Sequence, residues 1–220
     1  GDEMSLQDIE IKKEYRSRLD NVARDFYIPL LKEAVSYKRS VGFFSSSILV
    51  EISKGIIGLI NNGGKIQLIA SPRLSDEDVT AIRKGYQQRN EVIQNALLRQ
   101  LKEPENKYQA DRLNFLANLI ADGYLDIKIA LTEDGSEIGM YHEKMGIIED
   151  AEGNKVAFSG SNNETANALL ANYETVDVYT SWSVDLDRVQ SKEASFQAIW
   201  HGYEPSIRTI EFGDLSEAII

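Results

Sequence analysis

The stretch VGFFSSSILVEISKGIIGLINNGGKIQLIA, residues Val41–Ala70, decides the fold class. Its first part, Val41–Ser45, is a short apolar run typical of a buried strand, and Ser47–Asn61 has the length and apolar spacing of a helix. An Asn-Gly-Gly stop signal at 62–64 separates this helix from a second strand, Lys65–Ala70. The order strand, helix, strand predicts a βαβ crossover, whose two strands are parallel and covered by the helix.

Alternating helices and strands continue on both sides of this unit. A helix is predicted at Asp25–Tyr37 ahead of it, and Asp76–Asp122 is predicted to be mostly helical with a break near Pro104. The later elements are strands at Tyr124–Leu131, Tyr141–Ile148, Lys155–Ser159 and Thr175–Thr180 and helices at Asn163–Leu170 and Val184–Trp200. Together they predict an α/β fold, with a mixed parallel and antiparallel central sheet of about six or more strands and helices on both faces.

The chain is divided by composition into one domain and two flanking segments. It has 220 residues, of which 42% are hydrophobic and 27% charged, and this composition is that of a globular protein with a real core. Residues 1–24 are polar and are expected to be a flexible N-terminal segment, and 25–206 are expected to form the domain. Residues 207–220 are expected to be a tail that links the domain to a further, missing one.

The charge and the rare residue types exclude several classes of site. There are 24 Lys and Arg against 35 Asp and Glu, a net charge of −11, which disfavours a broad nucleic-acid surface but leaves room for a local basic cleft. The chain has no Cys and two His, so disulfides, thiolate zinc sites and His-rich metal centres are excluded, and no metal or cofactor is expected. No run of 18 apolar residues occurs, so no membrane contact is expected and a cytoplasmic location is the default.

The residues that carry chemistry lie in two neighbouring predicted strands. Because alternate strand residues share a face, His142 and Lys144 project side by side, and Gly146 continues that face with no side chain, which leaves room for a ligand to approach. The next strand ends in small polar residues, with Ser161 and Asn163 again two apart, and Asn163 is a good N-cap for the helix that follows. A helix N-terminus beside such residues favours an anion.

These groups together suit phosphoryl chemistry without a metal. Lys144 supplies charge to a phosphate, and Asn163 and Ser161 supply neutral hydrogen bonds. His142 titrates near neutral pH and serves as a nucleophile or an acid. Taken alone, each residue also has an ordinary structural interpretation: a core histidine, a solvated lysine, a turn and a cap. The combination at this spacing favours catalysis.

The pattern resembles the HKD motif of the phospholipase D superfamily. That motif is His-x-Lys, then an acidic residue, then Gly-Ser-x-Asn, and here it reads His142, Lys144, Glu149 or Asp150, and Gly160-Ser161-Asn162-Asn163. Glu149 stands at the usual acidic spacing and Asp150 one position later, and in the family this residue is structural. A family carboxylate that orients the histidine corresponds to Glu174, which follows Asn172 and Tyr173.

The resemblance implies a two-step phosphodiester transfer. One His attacks phosphorus and forms a phosphohistidine, and a second His, from another HKD motif, protonates the leaving oxygen and then activates water, while lysines and asparagines hold the phosphate oxygens. Since this chain has one His-x-Lys motif, we expect a twofold homodimer in which two His142 side chains meet. The implied catalytic residues are His142, Lys144, Asn163, Ser161 and Glu174, and the implied substrate-binding residues are Gly160, Ser161, Asn163 and Lys144.

The stretches 26–30, 41–47 and 62–66 also resemble the N-terminal HKD domain found ahead of superfamily 2 helicases in bacterial DNA-processing proteins. This implies a metal-independent nuclease acting on DNA, with itself, DNA and a helicase domain of the same parent chain as partners. One alternative is a non-catalytic module that binds nucleic acid or dimerises a larger helicase. A lower alternative is a phospholipase or small-molecule phosphodiesterase, which the lack of an amphipathic membrane-docking stretch disfavours.

Overall fold

A computed structural model describes the backbone of residues 4–95, 109–132, 139–140, 144–162 and 174–212, and the side chains of 4–89, 111–132, 144–160 and 175–212. The strands are β1 (Glu14–Arg16), β2 (Ala34–Val41), β3 (Lys65–Ala70), β4 (Leu125–Thr132), β5 (Gly139–Met140), β6 (Met145–Asp150), β7 (Lys155–Asn162), β8 (Glu174–Thr180) and β9 (Ile207–Glu211). The helices are α1 (Ile28–Lys32), α2 (Ser46–Glu51), α3 (Ser53–Asn61), α4 (Asp76–Asn95), α5 (Gln109–Ala121) and α6 (Leu186–Trp200), and a π-helical turn, Ala23–Tyr27, precedes α1.

Within the described residues, the strands form one mixed sheet. Its order is β1-β8-β7-β6-β2-β3-β4-β5, and β9 also pairs with β4. Strands β2, β3 and β4 are parallel, and all other pairings are antiparallel. The predicted α/β class with a mixed sheet is therefore confirmed.

The crossover from β2 to β3 is built as its sequence predicts. Ser45 is the N-cap of α2 and accepts a hydrogen bond from the Ser47 amide, and α2 and α3 together span the predicted helix with a break at Ile52. Gly63 follows α3 with φ +80°, a backbone conformation that favours glycine, and so ends the helix. Strand β3 has the predicted bounds and pairs parallel to β2, so the predicted βαβ unit is confirmed.

The predicted helix Asp25–Tyr37 and the predicted strand Val41–Ser45 are wrong in their bounds. Helix α1 ends at Lys32, and strand β2 begins at Ala34 and stops at Val41. Because β2 has β3 on one side and β6 on the other and is covered on both faces, its burial does not alternate regularly. An apolar pattern buried on both faces fits a helix and a strand equally well.

Helices cover both faces of the sheet, as predicted. On one side of the sheet, which we call the first face, α1, α3, α4 and α5 pack against strand side chains such as Leu68, Ile148 and Phe158. The second face is covered by α6, whose Val189, Phe196 and Trp200 are buried as the sequence predicts. The described part of the chain has no helix with the length and hydropathy of a membrane span.

The sheet extends beyond the predicted domain boundaries at both ends. In the N-terminal segment, Leu6 is fully buried and β1 pairs with β8. In the segment predicted as a tail, β9 pairs with β4 over five residues and Ile210 is buried. The predicted limits of 25 and 206 are therefore too narrow, because both flanking segments supply strands and core side chains.

Candidate functional site

One edge of the sheet collects the ends of the strands that carry the motif. Parallel strands β2, β3 and β4 all finish there. A row of paired residues crosses the sheet near this edge, with Ser40 opposite Met145, Met145 opposite Ser159, and Ser159 opposite Asp177. This row joins the end of β2, the start of β6, the second half of β7 and the middle of β8. The two halves of the motif therefore meet at the carboxyl ends of the parallel strands.

Lys144 and Gly160 are the motif residues whose positions the structure describes most fully. The Gly160 amide donates to the Lys144 carbonyl at 3.1 Å, so the two are direct cross-strand neighbours. The lysine is half-buried, and strand alternation places it on the first face with Gly146 and Ile148. The His-x-Lys and Gly-Ser-x-Asn segments thus adjoin at these two residues.

The remaining predicted site residues are described in part or not at all. Ser161 pairs with Thr175 and Asn162 with Glu174, which places Ser161 and the backbone of Glu174 at the same edge. His142 and Asn163 lie outside the described residues, as does the predicted helix Asn163–Leu170. Their part in the site therefore stays a prediction.

Gly146 does not leave the room that its missing side chain suggests. It lies opposite Phe158 in the β6–β7 pair, and the Phe158 ring fills the space above it. A Cβ added at position 146 would lie 2.7 Å from Phe158 Cε1 and still closer to Cζ. The expected approach route for a ligand over Gly146 is therefore wrong, since an aromatic ring occupies it.

Arg39 is a cation of this region that the motif does not contain. It pairs with Gly146, so it lies diagonally across from Lys144 on the first face, at a typical Cα separation of about 7–8 Å. Its guanidinium carbon stands 4.9 Å from the Phe158 ring centroid and 6.0 Å from that of Tyr27. Only the pairing of β2 with β6, which are more than a hundred residues apart in the chain, brings it here.

A groove of 650 Å³ opens on this face beside Arg39. Residues 17–23 form one wall, and Phe43, Ser45 and residues along the whole length of α2 form the other. The floor is made by Tyr27, Tyr37 and Arg39. Its volume falls in the range of roughly 300–1,000 Å³ that small-molecule sites occupy.

Comparison with known families identifies the chain. A family model described as "Cardiolipin synthase, PLD-like domain" matches residues 28–200, which is 173 of the 220 residues. The chain belongs to this PLD-like family. Comparison with curated protein sequences finds no match.

Among solved structures, the PLD-like domain matches the yeast tyrosyl-DNA phosphodiesterase, solved as an H432N_Glu mutant. The two chains are 11% identical with a TM-score of 0.32, and the match covers 70% of this chain and 28% of the other. The chain thus spans under a third of the length of that protein. At this TM-score the likeness carries no argument about activity.

The acidic positions of the PLD-like domain have different surroundings. Asp150 is buried and accepts hydrogen bonds from the amides of Leu6, Glu152 and Asn154 and from the Asn154 side chain. Burial alone would raise the pKa of the Asp150 carboxyl, but these bonds outweigh it and leave the pKa below its ordinary value. Asp150 thus holds the β6–β7 hairpin and the N-terminal segment together, whereas Glu149 is half-buried and lies 3.8 Å from Lys155.

The three serines at positions 45–47 have different surroundings. Ser45 and Ser47 line the groove, while Ser46, the first residue of α2, is fully buried. The Ser46 hydroxyl donates to Asp78 at 2.6 Å and accepts from Arg112 at 2.5 Å. This buried brace fixes α2, and hence one groove wall, against α4 and α5.

The described residues offer no metal centre. No group of three or more His, Cys, Asp or Glu side chains among them is arranged to hold a metal ion. The functional groups that the described part of the edge does bring together are a lysine, an arginine, serines and aromatic rings. This set suits an anionic ligand with a planar group.

Proposed function

We propose that this PLD-like domain is a metal-independent phosphodiesterase that cleaves DNA through a phosphohistidine on His142. Family membership supports phosphodiester chemistry, and the observation that carries the proposal is the direct pairing of Lys144 with Gly160. That pairing joins the His-x-Lys segment to the Gly-Ser-x-Asn segment at one sheet edge. Lys144 then stabilises the charge that develops on the phosphate oxygens, and Ser161 and Asn163 donate hydrogen bonds to them.

The test of the chemistry uses the second histidine of the chain as a matched control. DNA oligonucleotides are incubated in excess EDTA with the wild type, His142→Ala and His201→Ala. His201 is exposed at the C-terminal end of α6 and forms a hydrogen bond with Gln197 at 3.1 Å, so its loss should leave cleavage unchanged. We expect His142→Ala to abolish cleavage. We also expect an alkaline SDS quench of the wild type to trap a labelled phosphohistidine, because its P–N bond is stable in base and hydrolysed in acid. Inhibition by EDTA, or equal activity of both variants, would contradict the proposal.

We further propose that two copies complete the active site, each giving one His142. One His attacks phosphorus and the other moves the proton of the leaving group, so a single copy holds half of the site. Mixing the wild type with a growing excess of His142→Ala should then reduce activity more steeply than dilution alone, because mixed dimers lack one histidine. A strict monomer by light scattering at the assay concentration, with full activity, would exclude this arrangement.

We also propose that a helicase domain of the parent chain contributes much of the binding affinity for DNA. The net charge of −11 disfavours tight polyanion binding by this domain alone. The dissociation constant of the isolated domain for DNA should therefore exceed that of the full-length parent. DNA binding without turnover of any phosphodiester would favour the non-catalytic module instead.

A further inference from the structure

The groove beside Arg39 lies on the same face of the sheet as Lys144, where the proposed chemistry takes place. Arg39 in its floor is the diagonal neighbour of Lys144, and Phe43 lies two residues beyond the end of β2. The wall formed by residues 17–23 begins where β1 ends, and β1 pairs with the first half of β8. A ligand whose phosphate lies by Lys144 therefore shares the first face of the sheet with the groove.

The groove presents a specific set of chemical groups. The cavity is lined by a guanidinium in its floor and by the aromatic rings of Phe43, Tyr27 and Tyr37. Serine hydroxyls line both walls, at Ser17, Ser45 and Ser47. A cation binds a phosphate, aromatic rings stack on a planar base, and hydroxyls bond a polar sugar or base edge. An acyl chain would instead require a long, uniformly apolar channel, and this cavity mixes polar and apolar groups along its length.

The acidic side chains of the groove fit the same orientation. Asp20 lines one wall, but its carboxylate accepts hydrogen bonds from Lys12 at 2.5 Å and from the Arg16 amide at 3.0 Å. The ammonium of Lys12 therefore balances the charge of Asp20. Glu51 lies at the C-terminal end of α2, away from the strand ends where Lys144 lies. A phosphate is therefore favoured at the Arg39 end and disfavoured at the Glu51 end, where a carboxylate accepts a hydrogen bond from an N–H group of the base.

We propose that this groove binds the nucleotide adjacent to the scissile phosphate of a single-stranded nucleic acid, with Phe43 stacking on its base and Arg39 contacting its phosphate. The inference rests on the proposed function, which it deepens by naming the substrate class and two specificity residues. Single strands are the matching substrate because their bases are unpaired and exposed for stacking. Neither residue takes part in bond making, so both act on substrate choice.

The experiment compares two substrates and one binding reaction. One substrate is a single-stranded oligothymidylate, and the other is methyl p-nitrophenyl phosphate, a diester with no nucleoside. Binding is followed by fluorescence anisotropy of a labelled hexathymidylate. The variants are Phe43→Ala and Arg39→Gln, with Tyr203→Ala and Arg208→Gln as controls, because Tyr203 and Arg208 are exposed and lie outside the groove.

For Phe43→Ala and Arg39→Gln we expect the ratio of kcat/KM on the oligonucleotide to kcat/KM on the small diester to fall about tenfold, and the dissociation constant of the hexathymidylate to rise about tenfold. Both controls should retain the wild-type values. If Arg39→Gln fails to fold because Arg39 packs on Phe158, the half-exposed Phe43 still decides the outcome.

Three results separate the possible failures. An unchanged ratio and an unchanged dissociation constant in both groove variants would overturn the inference and leave the proposed function intact. If the wild type cleaves neither substrate, the proposed function fails, and the anisotropy measurement alone accepts or rejects the groove. If turnover of phosphatidylglycerol vesicles depends on Phe43 more strongly than turnover of the oligonucleotide does, the assignment to a nucleotide is overturned.

Discussion

The two faces of the sheet surround their cations differently, and consecutive residues of β2 show how. Lys38 lies on the second face, where it is buried and its Nζ stands 3.7 Å from the Glu193 carboxylate of α6. Arg39, the next residue, lies on the first face and lines a 650 Å³ groove. Strand β2 therefore places Lys38 in a buried ionic cluster on the second face and Arg39 at an open cavity on the first face.

The ionic cluster on the second face is balanced within itself. Lys38 and Lys155 both reach Glu193, and Lys155 also lies 3.8 Å from Glu149. Burial by itself would lower the pKa of the Lys155 ammonium, but the hydrogen bond and charge of Glu193 outweigh it and raise that pKa. Two cations and two carboxylates thus compensate one another and attach α6 to the sheet. The second face thus holds its charges in ion pairs, whereas Arg39 on the first face contacts aromatic rings and lines the groove.

The largest effect on function is expected on the first face. Replacing Lys144 by Met should lower kcat/KM on a phosphodiester by about 10²–10³-fold, because a cation that stabilises the transition-state charge is lost. Lys38→Met is the matched control, since it removes a lysine from the other face of the same sheet. It should lower the free energy of unfolding while the activity per folded molecule stays at the wild-type value. Equal losses of activity in the two variants would show that the faces do not differ in this way.

Gly146 tests whether the floor beneath Lys144 is filled. Gly146→Ala should reduce the free energy of unfolding by about 3 kcal/mol, because the new Cβ would overlap the buried Phe158 ring. Adding Phe158→Leu should relieve part of this cost, so the double variant should be more stable than the sum of the two single changes predicts. Urea unfolding of the four proteins in this cycle measures the coupling. Strict additivity would mean that the ring and the glycine do not interact.

The ionic cluster should respond through stability alone. Glu193→Gln leaves Lys38 and Lys155 without their shared carboxylate and should cost about 2 kcal/mol in the free energy of unfolding. Asp187→Asn, an exposed change in the first turn of the same helix, is the control and should have a much smaller effect. Urea titration decides between them. If the two variants lose the same stability, the cluster contributes no more than a surface charge does.

The sequence predicts the elements whose limits are marked by local signals. The sequence predicts strand β3 with its correct bounds because Gly63 and Gly64 precede it and Pro72 follows it. It misplaces strand β2, which is central and buried on both faces, because no alternation marks such a strand. The His-x-Lys and Gly-Ser-x-Asn segments are recognisable from the sequence because each is a short local pattern.

The rest of the site depends on pairings between distant parts of the chain. Arg39 approaches Lys144 because β2 pairs with β6, and sequence spacing says nothing about the order of strands in a sheet. The Phe158 ring above Gly146 depends likewise on the register of the β6–β7 hairpin. A one-residue slip of that register would exchange the faces of every side chain. The sequence alone therefore suggested an open space where the structure has a packed ring.

The smallest predicted effect concerns the hairpin that fixes this register, and it appears only in acid. Because the folded-state pKa of Asp150 is depressed, its carboxylate adds stability that is fully present above the unfolded pKa of about 3.9. That stability is lost as the pH falls from there through the lower folded-state pKa. Asp150→Asn should therefore show a shallower fall in the free energy of unfolding below about pH 4. A fall in Asp150→Asn as steep as that of the wild type would show that the hairpin carboxyl is not the group that titrates.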